Sequence, residues 1–313
     1  MEIVVSSSPK PVGWEGFSPE TGHPAQLPCF AELYRNSRTR PLFLEAFRGG
    51  VKSAQWLVFR NRLGFLPFAK IDIFSLAGPQ VVESELGNTS EFFTAFISWI
   101  KINLKPVSIT VLNRALVRDI PRTAFEINQF QTIDECVPYL SSLLGTEEEL
   151  LNRFNSSHRN DTRKAIKEGY VYIADLDPEE YYGLSQETYG RSNREGPQVE
   201  YIHLIQEKMV KAGKAFLSGV KAGGRLASAS IVIYHGRRGF YLHGASSSEK
   251  SRGSTTWIHY KNMLRLRDLG ILYYDMGGAK LSPDSDEKAV SLTLFKSRFG
   301  GEAGQAFGGI WKV

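Results

Sequence analysis

Apolar and polar residues alternate in three short runs early in the chain, Leu42 to Arg48, Gln55 to Arg60 and Phe65 to Ile71. Gly49-Gly50 and Asn61-Arg-Leu-Gly64 punctuate them as turn signals, so the pattern predicts three successive strands. Ahead of them Pro9, Pro11, Pro19, Pro24 and Pro28 make residues 1–30 read as an irregular arm. Between Ser90 and Asn103 the period changes: Phe92, Phe93, Phe96, Ile97 and Ile100 recur at helical spacing, and a strand over Val107 to Leu112 follows.

The second half opens with Thr146 three residues before Glu149, a capping box, and Gly169 closes the segment, which predicts one helix over 147–168. Arg159, Arg163 and Lys167, each four apart, would share one face of it as a basic stripe. Helices over 178–189 and 199–211 precede strands over 215–221, 226–234 and 239–245, with Gly223-Gly224 and Gly236-Arg-Arg-Gly239 as hairpin turns. A helix over Ser254 to Asp268, ended by Gly270, leads into a buried strand over Ile271 to Asp275. The expected class is therefore α/β with mixed sheets, and 313 residues point to two modules rather than one.

Composition narrows the chemistry. Thirty-eight Lys and Arg against thirty-three Asp and Glu leave a mild net charge of +5, so an anionic partner must be met locally. Arginine clusters at Arg35, Arg38 and Arg40, at Arg60 and Arg62, and at Arg153, Arg159 and Arg163 are suited either to phosphates or to a solvated face. Two cysteines, Cys29 and Cys136, make no disulfide framework, and no segment is long and apolar enough for a bilayer, so a cytoplasmic setting is expected. The six histidines lack metal-ligand spacing, so neither a metal nor a bound cofactor is expected. Gly-x-Ser-x-Gly and Gly-x-x-x-x-Gly-Lys motifs are absent, which removes the common hydrolase and nucleotide-hydrolase patterns.

Three segments then stand in an informative order: His158-Arg-Asn-Asp-Thr-Arg-Lys-Ala-Ile-Lys-Glu-Gly169, Leu272-Tyr-Tyr-Asp-Met-Gly-Gly278 and Leu294-Phe-Lys-Ser-Arg-Phe-Gly-Gly-Glu302. Together they resemble the Fem-type (FemABX) aminoacyl-tRNA-dependent peptidyltransferases, within the wider GNAT-fold acyltransferase superfamily. The resemblance implies two GNAT-like domains in tandem. The first would cover 1–140, completed by 302–313, and the second, 141–301, would carry the active site. It implies amide-bond formation, with an amino acid passing from aminoacyl-tRNA to an amine of a peptidoglycan precursor or peptide-like metabolite. An acyl-CoA-dependent N-acyltransferase and a non-catalytic tRNA- or precursor-binding module are the alternatives.

Residue by residue, the resemblance assigns Phe295 as a platform for the donor's terminal base and Lys296 as the positive charge at the developing oxyanion. Asp275, before two glycines, is either a general base or a ligand of the turn backbone. Arg159, Asn160 and Arg163 offer donors to phosphate, Arg159 and Arg163 as planar guanidinium forks, or else an ordinary exposed face. Tyr201 and Tyr241 are candidate acceptor contacts. Arg252, Gly253 and Ser254 fall where acyl-CoA enzymes of this fold bind pyrophosphate, but Lys250 and Thr255 depart from that pattern.

Overall fold

The computed structural model describes residues 2–8, 12–17, 22–64, 70–112, 120–191, 193–249, 251–280, 287–304 and 306–313. The chain divides into two compact units, one of residues 1–138, 278–290 and 304–313, the other of 139–277 and 291–303.

The first unit runs β1 (Ile3–Ser8), α1 (Pro28–Glu32), β2 (Thr39–Arg48), β3 (Val51–Arg62), β4 (Ile71–Ser75), β5 (Gln80–Val81), α2 (Thr89–Leu104), β6 (Ser108–Leu112), α3 (Arg122–Ile127) and most of β7 (Gln131–Ser142). Its sheet is ordered β1-β2-β3-β4-β6, antiparallel except for the parallel β4–β6 pair. Alternate residues of β3 face opposite sides, so Trp56 and Val58 meet the apolar stripe of α2, where Phe92, Phe93, Phe96, Ile97 and Ile100 are fully buried. Leu57 and Phe59 point the other way, against Trp14 and Phe43.

That second face corrects the expected irregular arm. Ile3–Ser8 pairs with β2 as an edge strand, and Trp14 is buried. The Gln26 amide donates to the Leu57 carbonyl and accepts from the Leu57 N–H at 2.6 Å, satisfying both backbone groups as a neighbouring strand would. The prolines prevent long regular elements there without preventing burial. The third predicted strand also shifts: Phe65 to Ala69 lie outside the described residues, and pairing resumes at Ile71, while Asn61 and Arg62 still belong to β3 rather than to a turn.

The second unit begins with the end of β7 and runs α4 (Glu147–Arg153), α5 (Ser156–Lys167), β8 (Val171–Ile173), α6 (Pro178–Gly190), α7 (Val199–Ile205), β9 (Ala215–Ala222), β10 (Arg225–His235), β11 (Arg238–Ser246), α8 (Ser254–Asp268), most of β12 (Tyr273–Lys280), most of α9 (Glu287–Ser297) and β13 (Glu302–Ala303). Strands β8 to β11 are antiparallel neighbours, and β12 joins β11 in parallel. The last strand, β14 (Ala306–Lys312), returns to the first unit and pairs antiparallel with β6 and β7.

One helix expected over 147–168 is two. The capping box of Thr146 and Glu149 forms, but Phe154 leaves the helix at ψ 149 to bury its ring among Tyr260 and Phe299, and the Asn155 side chain caps a fresh start by accepting from the His158 N–H. Burial of the aromatic ring outweighs the helical hydrogen bonds lost at the break. Similarly α7 ends at Ile205 and continues as a single π-turn, and β12 runs beyond the predicted 271–275.

In the first unit Phe93 contacts the rings of Trp56, Phe125 and Phe130 at 5.1–5.9 Å between centroids. Phe93→Ala is expected to cost that unit about 3–5 kcal/mol, read by urea unfolding followed through tryptophan fluorescence. A loss below about 1 kcal/mol would contradict this packing.

Candidate active site

The site is built where the last turns of α9, the α8 N-terminus and the Asp275–Gly277 stretch of β12 meet within the second unit. Strands β11 and β12 share only three parallel pairs, Arg238 with Tyr273, Gly239 with Tyr274 and Phe240 with Asp275. Just beyond the last pair, the Lys296 ammonium donates to the Gly277 carbonyl at 3.3 Å. Lys296 is half-buried in the last turn of α9, so its charge lies at a strand end, in surroundings less screened than water.

Asp275 is wholly buried, and it holds the same residue through its N–H. Its Oδ1 accepts the Gly277 N–H at 2.8 Å, and its Oδ2 lies 3.6 Å from the Arg238 guanidinium, which is also buried. Burial raises its pKa, while Arg238, the Gly277 N–H and Lys296 pull it back. Of the two roles open to Asp275, the geometry matches the turn ligand: the carboxylate holds Gly277, and Gly277 holds Lys296.

Phe295 is anchored by its backbone. His158 is buried and its Nε2 lies 3.2 Å from the Phe295 carbonyl; because a carbonyl only accepts, Nε2 carries the proton. Nδ1 is then a buried lone pair with no hydrogen-bond partner. Burial is the main cause that lowers the His158 pKa. The Phe295 ring lies 5.0 Å from His158, 5.7 Å from His259 and 5.1 Å from Phe299. His259, on α8, hydrogen-bonds Tyr274 Oη through Nδ1 at 2.9 Å and meets the Tyr241 ring at 4.7 Å. Burial, then the charges of Lys296 and His158, push His259 down to about 3.

Beside Phe295 opens a cleft of about 550 Å³, lined by His158, Asp161, Phe295, Arg298, Arg252 and the hydroxyl-rich run around Ser246–Ser248 and Ser254–Thr256. It surrounds the N-terminus of α8, which has no side-chain cap. Gly253 opens that helix at φ 89, and a methyl group there would sit 2.5 Å from the Asp161 carbonyl, so the loop reaches α5 only with glycine. Arg252 adds an ion pair to Asp161 at 2.9 Å. Gly300 has the same logic: a Cβ would lie 2.3 Å from the Arg153 carbonyl, so the Phe-Gly-Gly end of the third motif docks at the end of α4.

The predicted residues therefore divide. Lys296, Phe295, Asp275, Arg252, Gly253 and Ser254 come together around the cleft and the strand end. Tyr241 stands one ring behind them, across His259, and Tyr201 packs edge-on to His243 at 5.9 Å, further out. The basic stripe is incomplete: Arg159 turns back to donate to the Asn152 and Phe154 carbonyls, capping α4, whereas Asn160 and Arg163 are exposed. Guanidinium donors find unpaired helix-end carbonyls a better partner than solvent. His158, His259, Arg298 and the serine run escaped the sequence reading. The only local hints were the place of His158 at the head of the first motif and the three consecutive serines.

His259 stays neutral when folded down to about pH 3, but once unfolded it binds a proton near its ordinary value of 6.5. Between those limits the unfolded chain holds more protons, so stability falls as pH drops through that window; His243, lowered to about 4 by burial, acts in the same sense. The expected result is a His259 imidazole NMR signal that does not titrate from roughly pH 8 to 5. His259→Leu should flatten the acid-side loss of stability; a signal titrating near the ordinary histidine value would refute the burial of that ring.

Residues 153–288 match the acetyltransferase (GNAT) domain family. A stretch of 74 residues is 32% identical to the lipid II:glycine glycyltransferase of Staphylococcus aureus, covering 23% of this chain and 18% of that protein. Over the whole chain the fold is similar to the crystal structure of FemX, with TM-score 0.80 at 17% identity and 98% of that chain covered. The structure of L-PGS from Bacillus licheniformis follows at TM-score 0.58 and 14% identity, over 96% of this chain and 91% of that one. A tandem GNAT protein from the clavulanic acid biosynthesis pathway gives 0.56 and 11%, covering 100% and 98%. The expected mixed α/β fold with tandem GNAT-like architecture is thus the observed one: residues 153–288 match the GNAT domain family, and the fold of the whole chain is similar to that of FemX.

Proposed function

We propose that this chain is a transferase that forms an amide bond, passing an aminoacyl group from aminoacyl-tRNA to an amine of a peptidoglycan precursor or a peptide-like metabolite. The observation that carries the reading is the Lys296 ammonium, held by the Gly277 carbonyl while Asp275 holds the Gly277 N–H, on the residue that follows Phe295, which lines the α8 cleft. The partial likeness to a lipid II:glycine glycyltransferase and the FemX fold support the same class of reaction.

In this reading the amine nitrogen attacks the ester carbonyl, a C–N bond forms, and the carbonyl electrons move onto oxygen, where Lys296 stabilises them. The carbonyl then re-forms, the C–O bond to the ribose breaks, and the proton lost by the amine ends on the departing hydroxyl. An aminoacyl ester is reactive, so placement and one positive charge suffice. Phe295 offers a face to the donor's terminal base, and the uncapped N–H groups of α8, with Arg252 and Arg298 near them, offer an anion site to its phosphate. Asp275 is a positioning residue, and Tyr241 and Tyr201 lie on the acceptor side. Use of charged tRNA places the reaction in the cytoplasm.

Lys296→Met is expected to lower kcat by about 10²–10³ with little change in KM for the donor, measured as discharge of aminoacyl-tRNA with peptide-like acceptors. Absence of any discharge by the wild-type chain, or full activity in the variant, would sink the proposal.

The open N-terminus of α8 favours one second reading, an N-acyltransferase whose acyl-CoA places its pyrophosphate there. The proposal expects no thermal shift with millimolar coenzyme A and a clear one with charged tRNA; the reverse pattern would transfer the assignment to acyl-CoA.

A further inference from the structure

Two arginine clusters twenty residues apart in sequence become one in the first unit. In the β2–β3 hairpin Arg40 lies directly opposite Arg60. On the next rung the Arg62 N–H donates to the Arg38 carbonyl at 3.0 Å. Directly opposed residues of an antiparallel pair keep their Cβ atoms about 5 Å apart on one face, where like charges repel.

Among the described residues, nothing in the surrounding strands offsets that repulsion. The row continues on β3 as Val58 and Trp56, and on β4 Arg60 and Arg62 face Ile73 and Ile71. Asp72, the acid at this end of β4, falls on the opposite face by strand alternation and accepts from Ser108. Arg60 Nε is buried with no hydrogen-bond partner, and neither Arg40 nor Arg60 has an ion pair among the described residues. The other end of the same hairpin is handled differently: Arg48 pairs with Glu85 and Glu91, and Lys52 with Glu45. Cations are matched at one end and left facing each other at the other.

We infer that Arg40 and Arg60 form an anion site on the first unit that takes a phosphate or pyrophosphate group. Two guanidinium forks on adjacent strands supply paired, planar donors to tetrahedral oxyanions, and a bound dianion replaces the repulsion with attraction. The site is separate from the α8 cleft and does not depend on the transfer reaction proposed above.

The test is thermal unfolding of the full chain in sodium pyrophosphate, against sodium chloride at matched ionic strength, with affinity from calorimetry. The expected result is a rise in Tm beyond that of the chloride control, and a Kd weakened by about tenfold or more in both Arg60→Met and Arg40→Gln. Arg40 is exposed, so Arg40→Gln carries the test even if Arg60→Met fails to fold. A nucleoside diphosphate titrated in parallel distinguishes the source: equal affinity marks a site for the phosphates alone, tighter binding one for a phosphorylated larger ligand. No rise beyond chloride, or a rise that both variants keep, would overturn the inference, the latter by placing the anion elsewhere.

Discussion

The hydrogen bond from buried His158 to the Phe295 carbonyl is the constraint around which the second unit's site is arranged. It ties the last turn of α9 to α5, and packing of Phe295 and Phe299 against His158 and His259 ties the same turn to α8. With the backbone of residue 295 held, the side chain of residue 296 has only a short arc to explore, and Gly277 fixes its end within that arc. Removing the imidazole would leave a buried carbonyl unpaired, which costs more than the bond itself contributes.

Electrostatically the site keeps charge scarce. The histidines nearest Phe295 and Lys296, His158 and His259, are held neutral by burial, and Asp275 sits beneath the Gly277 turn, beside Arg238. The Lys296 ammonium, half-buried, reaches the Gly277 carbonyl just beyond the point where β11 and β12 cease to pair, so its charge is less screened than in water. Arg252 and Arg298 line the cleft around the α8 N-terminus together with Phe295.

Much of the fold was legible because local rules and tertiary packing agree. The α2 stripe, the paired glycines between β2 and β3, and the α8 boundaries, which fall at Ser254 and Asp268 as expected, all report interactions within a few residues. The failures share a cause. Phe154 breaks a helix to reach a distant core, Trp14 and Gln26 bury a proline-rich arm, and Arg159 folds back onto carbonyls rather than facing out. Each depends on a partner that sequence spacing does not reveal.

By itself the sequence determined the class of fold, the order of elements in the second unit and the three segments from which its site is assembled, because periodicity, caps and glycines act over short range. The glycines were already informative: Gly253 and Gly300 stand where another backbone passes within a methyl group's reach. Only the tertiary structure decided what those segments do together. It set Asp275 against the Gly277 N–H, brought His158 to the Phe295 carbonyl, and set Arg40 across from Arg60. Hydrogen bonds, burial and charge pairing join residues as far apart in the chain as Val107 and Val313, and their energies depend on distances in space that the chain's own order does not encode.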